Sequence, residues 1–134
     1  MKPATVVLDA SVGVKWFRPE PGSAEARALL VRHGSGEIVI TVDHLFLYEV
    51  LSVVHSPRAA VSGRMAYGSL LDARLTWVAP SPKLVAAAFD HADLLGCPLY
   101  DAFSAGLAAV LDAPLYSADV KAHAAFPNVV LVGE

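Results

Sequence analysis

A chain of 134 residues is long enough to bury a core and short for two ordinary domains, so one domain over 1–134 is expected. It is 55% hydrophobic, yet Asp, Glu, Arg or Gly breaks each apolar run before the roughly 18–20 residues that a membrane span needs, and a soluble protein is expected. The formal charge of -3 argues against attachment to nucleic acid through a large basic surface while leaving a nuclease open, and a single cysteine, Cys97, rules out an internal disulfide and a cysteine-based metal centre.

The chain opens with a strand over 5–8 that Asp9 stops at once, so no charged segment leads into an apolar leader. With one cysteine, this suggests the cytoplasm. A helix over 23–33 ends at Gly34-Ser35-Gly36, and a strand over 37–41 follows. The next helix, 44–55, is apolar nearly all round and is expected to be buried, which leaves Glu49 in its middle without a solvated face. A helix-to-helix turn is expected over 55–60, then a helix over 62–74 and a strand over 75–79. Helices over 82–95 and 99–111 are stopped by Gly96-Cys97-Pro98 and Asp112-Ala113-Pro114. A strand over 114–117, a short helix over 119–125 and a strand over 129–132 complete the chain. Short β-rich runs alternating with helix-length segments predict an α/β fold, with a central, mostly parallel sheet of about five strands and helices on both faces.

Four acids sit at element ends or inside apolar runs: Asp9, Glu49, Asp101 and Asp119. Two unit charges ~4 Å apart repel by about 4 kcal/mol at an effective dielectric of about 20, so carboxylates gathered in such surroundings require neutralisation. In open α/β sheets ligands bind beyond the carboxyl ends of the strands. Asp9 and Asp119 follow the first and fourth predicted strands, and Asp101 begins a helix whose N-terminus can face the same edge. Oxygen-only ligands suit Mg²⁺ or Mn²⁺, which activate water and offset charge on a phosphodiester.

The opening Val7-Leu8-Asp9-Ala10-Ser11, the helical Tyr48-Glu49-Val50, the run Leu99-Tyr100-Asp101-Ala102-Phe103 and the segment Tyr116-Ser117-Ala118-Asp119 together resemble a PIN domain. The nearest subgroup is that of the VapC-type ribonuclease toxins of toxin–antitoxin pairs. The resemblance covers essentially the whole chain. It implies a Mg²⁺-dependent endoribonuclease with Asp9, Glu49, Asp101 and Asp119 as its acidic quartet; Asp9 and Asp101 are expected to act on the cation (Mg²⁺ or Mn²⁺) directly or through one bound water. It also implies hydroxyl support from Ser11 and Ser117, an RNA substrate, a small cognate antitoxin and a homodimer. Departures are His44, where the family often carries Pro, and Ser52, where Asn is common.

Each feature also has a plainer explanation. Asp9 at a strand end can be a turn former, Asp101 can serve the helix dipole, and Ser117 or Asp119 can cap the last helix. Lys15 and Arg18 can be solvated charges or can steer phosphate; Trp16 and Phe17 suit packing better than base stacking. The five histidines lack metal-binding spacing. A non-catalytic RNA- or protein-binding module of the same fold is the main alternative, and it is disfavoured by the intact quartet. A phosphotransferase with Asp9 as nucleophile is disfavoured because Ser11 stands where a D-x-D motif needs Asp.

Overall fold

The computed structural model describes residues 2–56 and 61–133. The expected turn over 55–60 lies, at 57–60, outside the described residues. Five strands, β1 (Ala4–Leu8), β2 (Ile38–Asp43), β3 (Thr76–Val78), β4 (Leu115–Ser117) and β5 (Val129–Leu131), pair in the order β3-β2-β1-β4-β5, every pairing parallel. Val6 stands opposite Ile40 and Val7 opposite Leu115. The chain adds β2 and β3 on one side of β1 and then β4 and β5 on the other, so the connectivity reverses between β1 and β4. Such a reversal opens a crevice at the carboxyl ends of the two strands.

Seven helices cover the sheet among the described residues: α1 (Ala10–Gly13), α2 (Ser23–Gly34), α3 (His44–Val54), α4 (Gly63–Asp72), α5 (Pro82–Leu95), α6 (Leu99–Leu111) and α7 (Val120–His123). Successive strand side chains face opposite ways, and β1 shows the result. Val6 and Leu8 enter a core with Ile40, Phe46, Val50 and Leu70, whereas Val7 enters a second core with Leu84, Ala105, Leu107 and Leu115. Each fully buried Val or Leu contributes about 1.5–3 kcal/mol, so β1 is held from both faces.

The helices begin where side-chain acceptors replace missing backbone partners. Asp9, Asp43, Ser62, Ser81 and Asp119 each accept from a backbone N–H in the first turn of α1, α3, α4, α5 and α7. The expected stops hold: Gly96 closes α5 at φ 67° and Asp112 closes α6 at φ 50°, both left-handed.

Three expectations need correction. The helix α1 and the 3-10 turn Val14–Trp16 were not expected, because a four-residue helix has too few turns to show periodicity. The last short helix is Val120–His123 rather than 119–125, with Asp119 as its cap. The apolar α3 is buried on one face only, through Phe46, Val50 and Val54, while Tyr48 and Val53 are exposed.

Candidate acidic site

Asp9 leaves β1 with extended backbone at the switch point. Its N–H donates to the Tyr116 carbonyl at 2.9 Å, tying the end of β1 to β4. Its carboxylate is oriented from two sides. Oδ2 accepts from the Ser11 N–H at 3.1 Å and the Ser11 hydroxyl at 2.6 Å, and Oδ1 accepts from the Ser104 hydroxyl of α6 at 2.9 Å. Ser11 Oγ in turn accepts from the Ala118 N–H at 2.9 Å, joining Asp9 to the loop after β4. Hydrogen bonds to a charged group are worth about 1.5–3 kcal/mol each, enough to hold one rotamer.

The far side of the crevice is built on a histidine. His123 is fully buried; its Nε2 lies 2.5 Å from the Asp101 carbonyl and its Nδ1 lies 2.7 Å from Ser117 Oγ. A carbonyl only accepts, so Nε2 carries the proton, and in the neutral ring Nδ1 accepts from the Ser117 hydroxyl. Ser117 Oγ also accepts from the Asp119 N–H at 3.0 Å, while Asp119 Oδ1 caps α7 through Ala122 N–H. One ring therefore fixes the start of α6, which carries Asp101, against the end of β4, which precedes Asp119.

Glu49 projects from α3 between these groups. It shares a tight cleft of about 10 Å³ with Asp9, Asp43 and Ser104, the room of about one water. It shares an open groove with Ser52 and Asp101. Burial, reinforced by the charges of Asp9, Asp43 and Asp101, pushes the Glu49 carboxyl up to about 7. Asp101 is also raised, by burial first and then by the charges of Asp119 and Asp9. Asp43 is raised mainly by burial, against the lowering effect of the Phe46 N–H that it accepts at 3.1 Å. Glu49 thus lies within electrostatic reach of Asp9, Asp101 and a fifth acid, Asp43, and Asp101 within reach of Asp9 and Asp119.

Ion pairs among the described residues are Lys15–Glu20 and Arg32–Glu37, so no such pair neutralises the quartet. Nor, among the described residues, are any three His, Cys, Asp or Glu side chains placed to hold a metal ion together. The donor set still fits a hard divalent cation. All donors are carboxylate oxygens drawn from separate elements, they repel one another, and such a cation keeps several waters beside one or two carboxylates.

Lys15 requires a correction. Its ammonium is buried and donates to Glu20 Oε1 at 3.1 Å and to the Pro21 carbonyl at 2.6 Å, bracing the chain ahead of α2 rather than lining the crevice as a free charge. Arg18 is exposed. Trp16 packs edge-on against Phe46 and donates to the Ala26 carbonyl at 2.8 Å, consistent with a core role. His44 and Ser52, the two departures, are both exposed on α3. Sequence reasoning missed Asp43, Ser104 and His123. Asp43 had a legible signal, since it follows a strand and precedes an apolar helix as a capping Asp should.

The PIN domain family matches residues 6–126. No curated protein matches the chain in sequence. Among solved structures, VapBC2 from Rickettsia felis bound to a promoter DNA fragment aligns with a TM-score of 0.72 at 17% identity, over 95% of this chain and 96% of that one. A toxin–antitoxin complex from Klebsiella pneumoniae aligns at 0.71 and 15% identity, over 93% and 95%. PAE2754 from Pyrobaculum aerophilum aligns at 0.70 and 18%, over 98% and 85%. At such identities the agreement concerns the fold, whereas the family match takes in all four acids of the crevice: the chain belongs to the PIN domain family.

Proposed function

We propose that the protein is a divalent-metal-dependent endoribonuclease acting as the toxin of a toxin–antitoxin pair in the cytoplasm. The observation that carries the reading is the gathering of Asp9, Glu49, Asp101 and Asp119 at the switch point of a parallel sheet, with no ion pair to neutralise them among the described residues. Asp9 and Asp101 would hold Mg²⁺ or Mn²⁺, with Glu49 and Asp119 completing the acidic shell. Such a cation supplies activation of water and compensation of phosphate charge. The chain's own part is orientation. Ser11 and Ser104 hold both oxygens of Asp9, and His123 with Ser117 holds the backbone that presents Asp101 and Asp119. Without a cation, burial and the neighbouring acids hold the Glu49 carboxyl up at about 7, and a cation on Asp9 and Asp101 would offset that repulsion.

Membership of the PIN family and the likeness of fold to chains of toxin–antitoxin complexes support the toxin role. A free RNA-cutting enzyme harms its host, so a small cognate antitoxin is part of the proposal, as is a homodimer. Expression of the chain alone should arrest growth, the Asp101→Asn variant should not, and co-expression of a small protein encoded beside it should restore growth. Strong expression of folded wild-type chain with normal growth and intact RNA across several hosts would favour the non-catalytic binding module.

A further inference from the structure

Tyr48 precedes Glu49 on α3, and Tyr100 precedes Asp101 on α6. The two tyrosines are 64% and 70% exposed, large values for residues placed beside a site. Both line the open groove that contains Glu49 and Asp101. Both also line a mostly apolar cavity of about 390 Å³ beside that groove, walled by Leu84, Val85 and Phe103 with Asp43 and His44. Leu45 belongs to both as well, so the groove and the cavity share a wall. The volume falls within the range of small-ligand pockets, roughly 300–1,000 Å³.

We infer that this cavity is the subsite for one unpaired RNA base next to the bond being cut, stacked on Tyr48 or Tyr100 while its phosphate lies over the acids. The inference rests on the proposed RNA cleavage and names how that substrate is held. Three observations point to a base. The cavity adjoins the acidic groove through Leu45, Tyr48 and Tyr100, so a ligand reaching both needs a flat apolar part beside an anionic part that a cation held by the acids would receive. Its rim carries two aromatic rings, and single-stranded RNA is held by stacking unpaired bases on such rings. Its walls are mostly apolar, with Asp43 and His44 as the polar members, so it fits the face of a base better than a phosphate. In a duplex the base faces are occupied by stacking, so the subsite selects single-stranded RNA.

The test uses the full chain. Binding of a short labelled single-stranded RNA to the Asp101→Asn chain in Mg²⁺ is followed by fluorescence anisotropy, and cleavage by the otherwise wild-type chain is measured alongside. Tyr48→Ala or Tyr100→Ala should raise Kd and KM about 5- to 150-fold, the range one base–aromatic stack carries. Tyr48→Phe and Tyr100→Phe, which keep the ring, should bind nearly as well as the parent. An RNA with an abasic residue beside the cut bond should bind the parent chain weakly and be indifferent to the Tyr→Ala change. Equal affinity of parent and Tyr→Ala chains for both RNAs overturns the subsite. So does a sedimentation result in which Tyr→Ala dissociates a dimer while RNA affinity stays fixed, since a second copy then covers the rings. A parent chain that neither binds nor cuts RNA overturns the ribonuclease reading itself, whereas cleavage indifferent to the tyrosines overturns only the base subsite.

Discussion

Glu49 has the most legible chemistry in the site, because its carboxyl is shifted from an ordinary 4.5 up to about 7 by burial and by three neighbouring acids. The folded state therefore holds a proton that the unfolded chain releases, and between about pH 4.5 and pH 7 stability of the metal-free protein falls as pH rises. The stabilisation is fully present below about 4.5 and lost above about 7, at most about 3 kcal/mol and less after screening by solvent. Asp43 and Asp101, raised in the same direction, add to the slope. Urea unfolding in EDTA should show this decline, and Glu49→Gln should flatten it; an unchanged slope in that variant would place the titration elsewhere. Glu49 stood out in the sequence because a mid-helix carboxylate in an apolar run has no structural excuse. Ser104 and His123 did not, since a serine and a histidine inside helices acquire meaning only when residues 95 and 22 positions away reach them.

At the scale of elements, the site depends on how closely two pairs of helices approach. Gly13 lets α1 meet α3: a Cβ there would lie 2.5 Å from Phe46 and 2.9 Å from Val50, on the helix that carries Glu49. Gly106 does the same for α6 against α5, where a Cβ would stand 2.9 Å from the Ala88 backbone nitrogen. Backbone has little room to give. Gly106→Ala gains up to about 1 kcal/mol in helix propensity but incurs about 1–3 kcal/mol of overpacking, so the variant should be less stable. It should also weaken the Ser104–Asp9 bond by moving α6. A rise in the melting temperature of Gly106→Ala would show that α5 and α6 are packed more loosely than this. Strands and helix stops were readable because alternation, glycine and proline act locally. The exposed face of α3 was not, because an apolar sequence says how much surface seeks cover and not what covers it.

Across the whole molecule, a parallel sheet in the order β3-β2-β1-β4-β5 brings the ends of β1 and β4 together. That juxtaposition gathers carboxylates separated by as much as the span from Asp9 to Asp119. The parallel α/β class followed from the alternation of elements, and the place of Asp9 at its edge followed from the class. The positioning network did not, since it lies in hydrogen bonds between distant segments. The central claim is that these carboxylates gather a divalent cation for RNA cleavage. It is tested most directly by measuring cleavage of single-stranded RNA by the purified chain across a Mg²⁺ titration, with Asp9→Asn and Asp101→Asn beside the wild type. Cleavage should rise with Mg²⁺, vanish in EDTA, return on adding Mn²⁺, and fall by at least ~100-fold in either variant. Metal-free Asp101→Asn should unfold no more easily than the wild type, because a repelling charge has been removed, whereas Asp9→Asn also loses charge-assisted bonds from Ser11 or Ser104. Cleavage that persists through exhaustive chelation, or near-normal rates in either variant, would contradict the account.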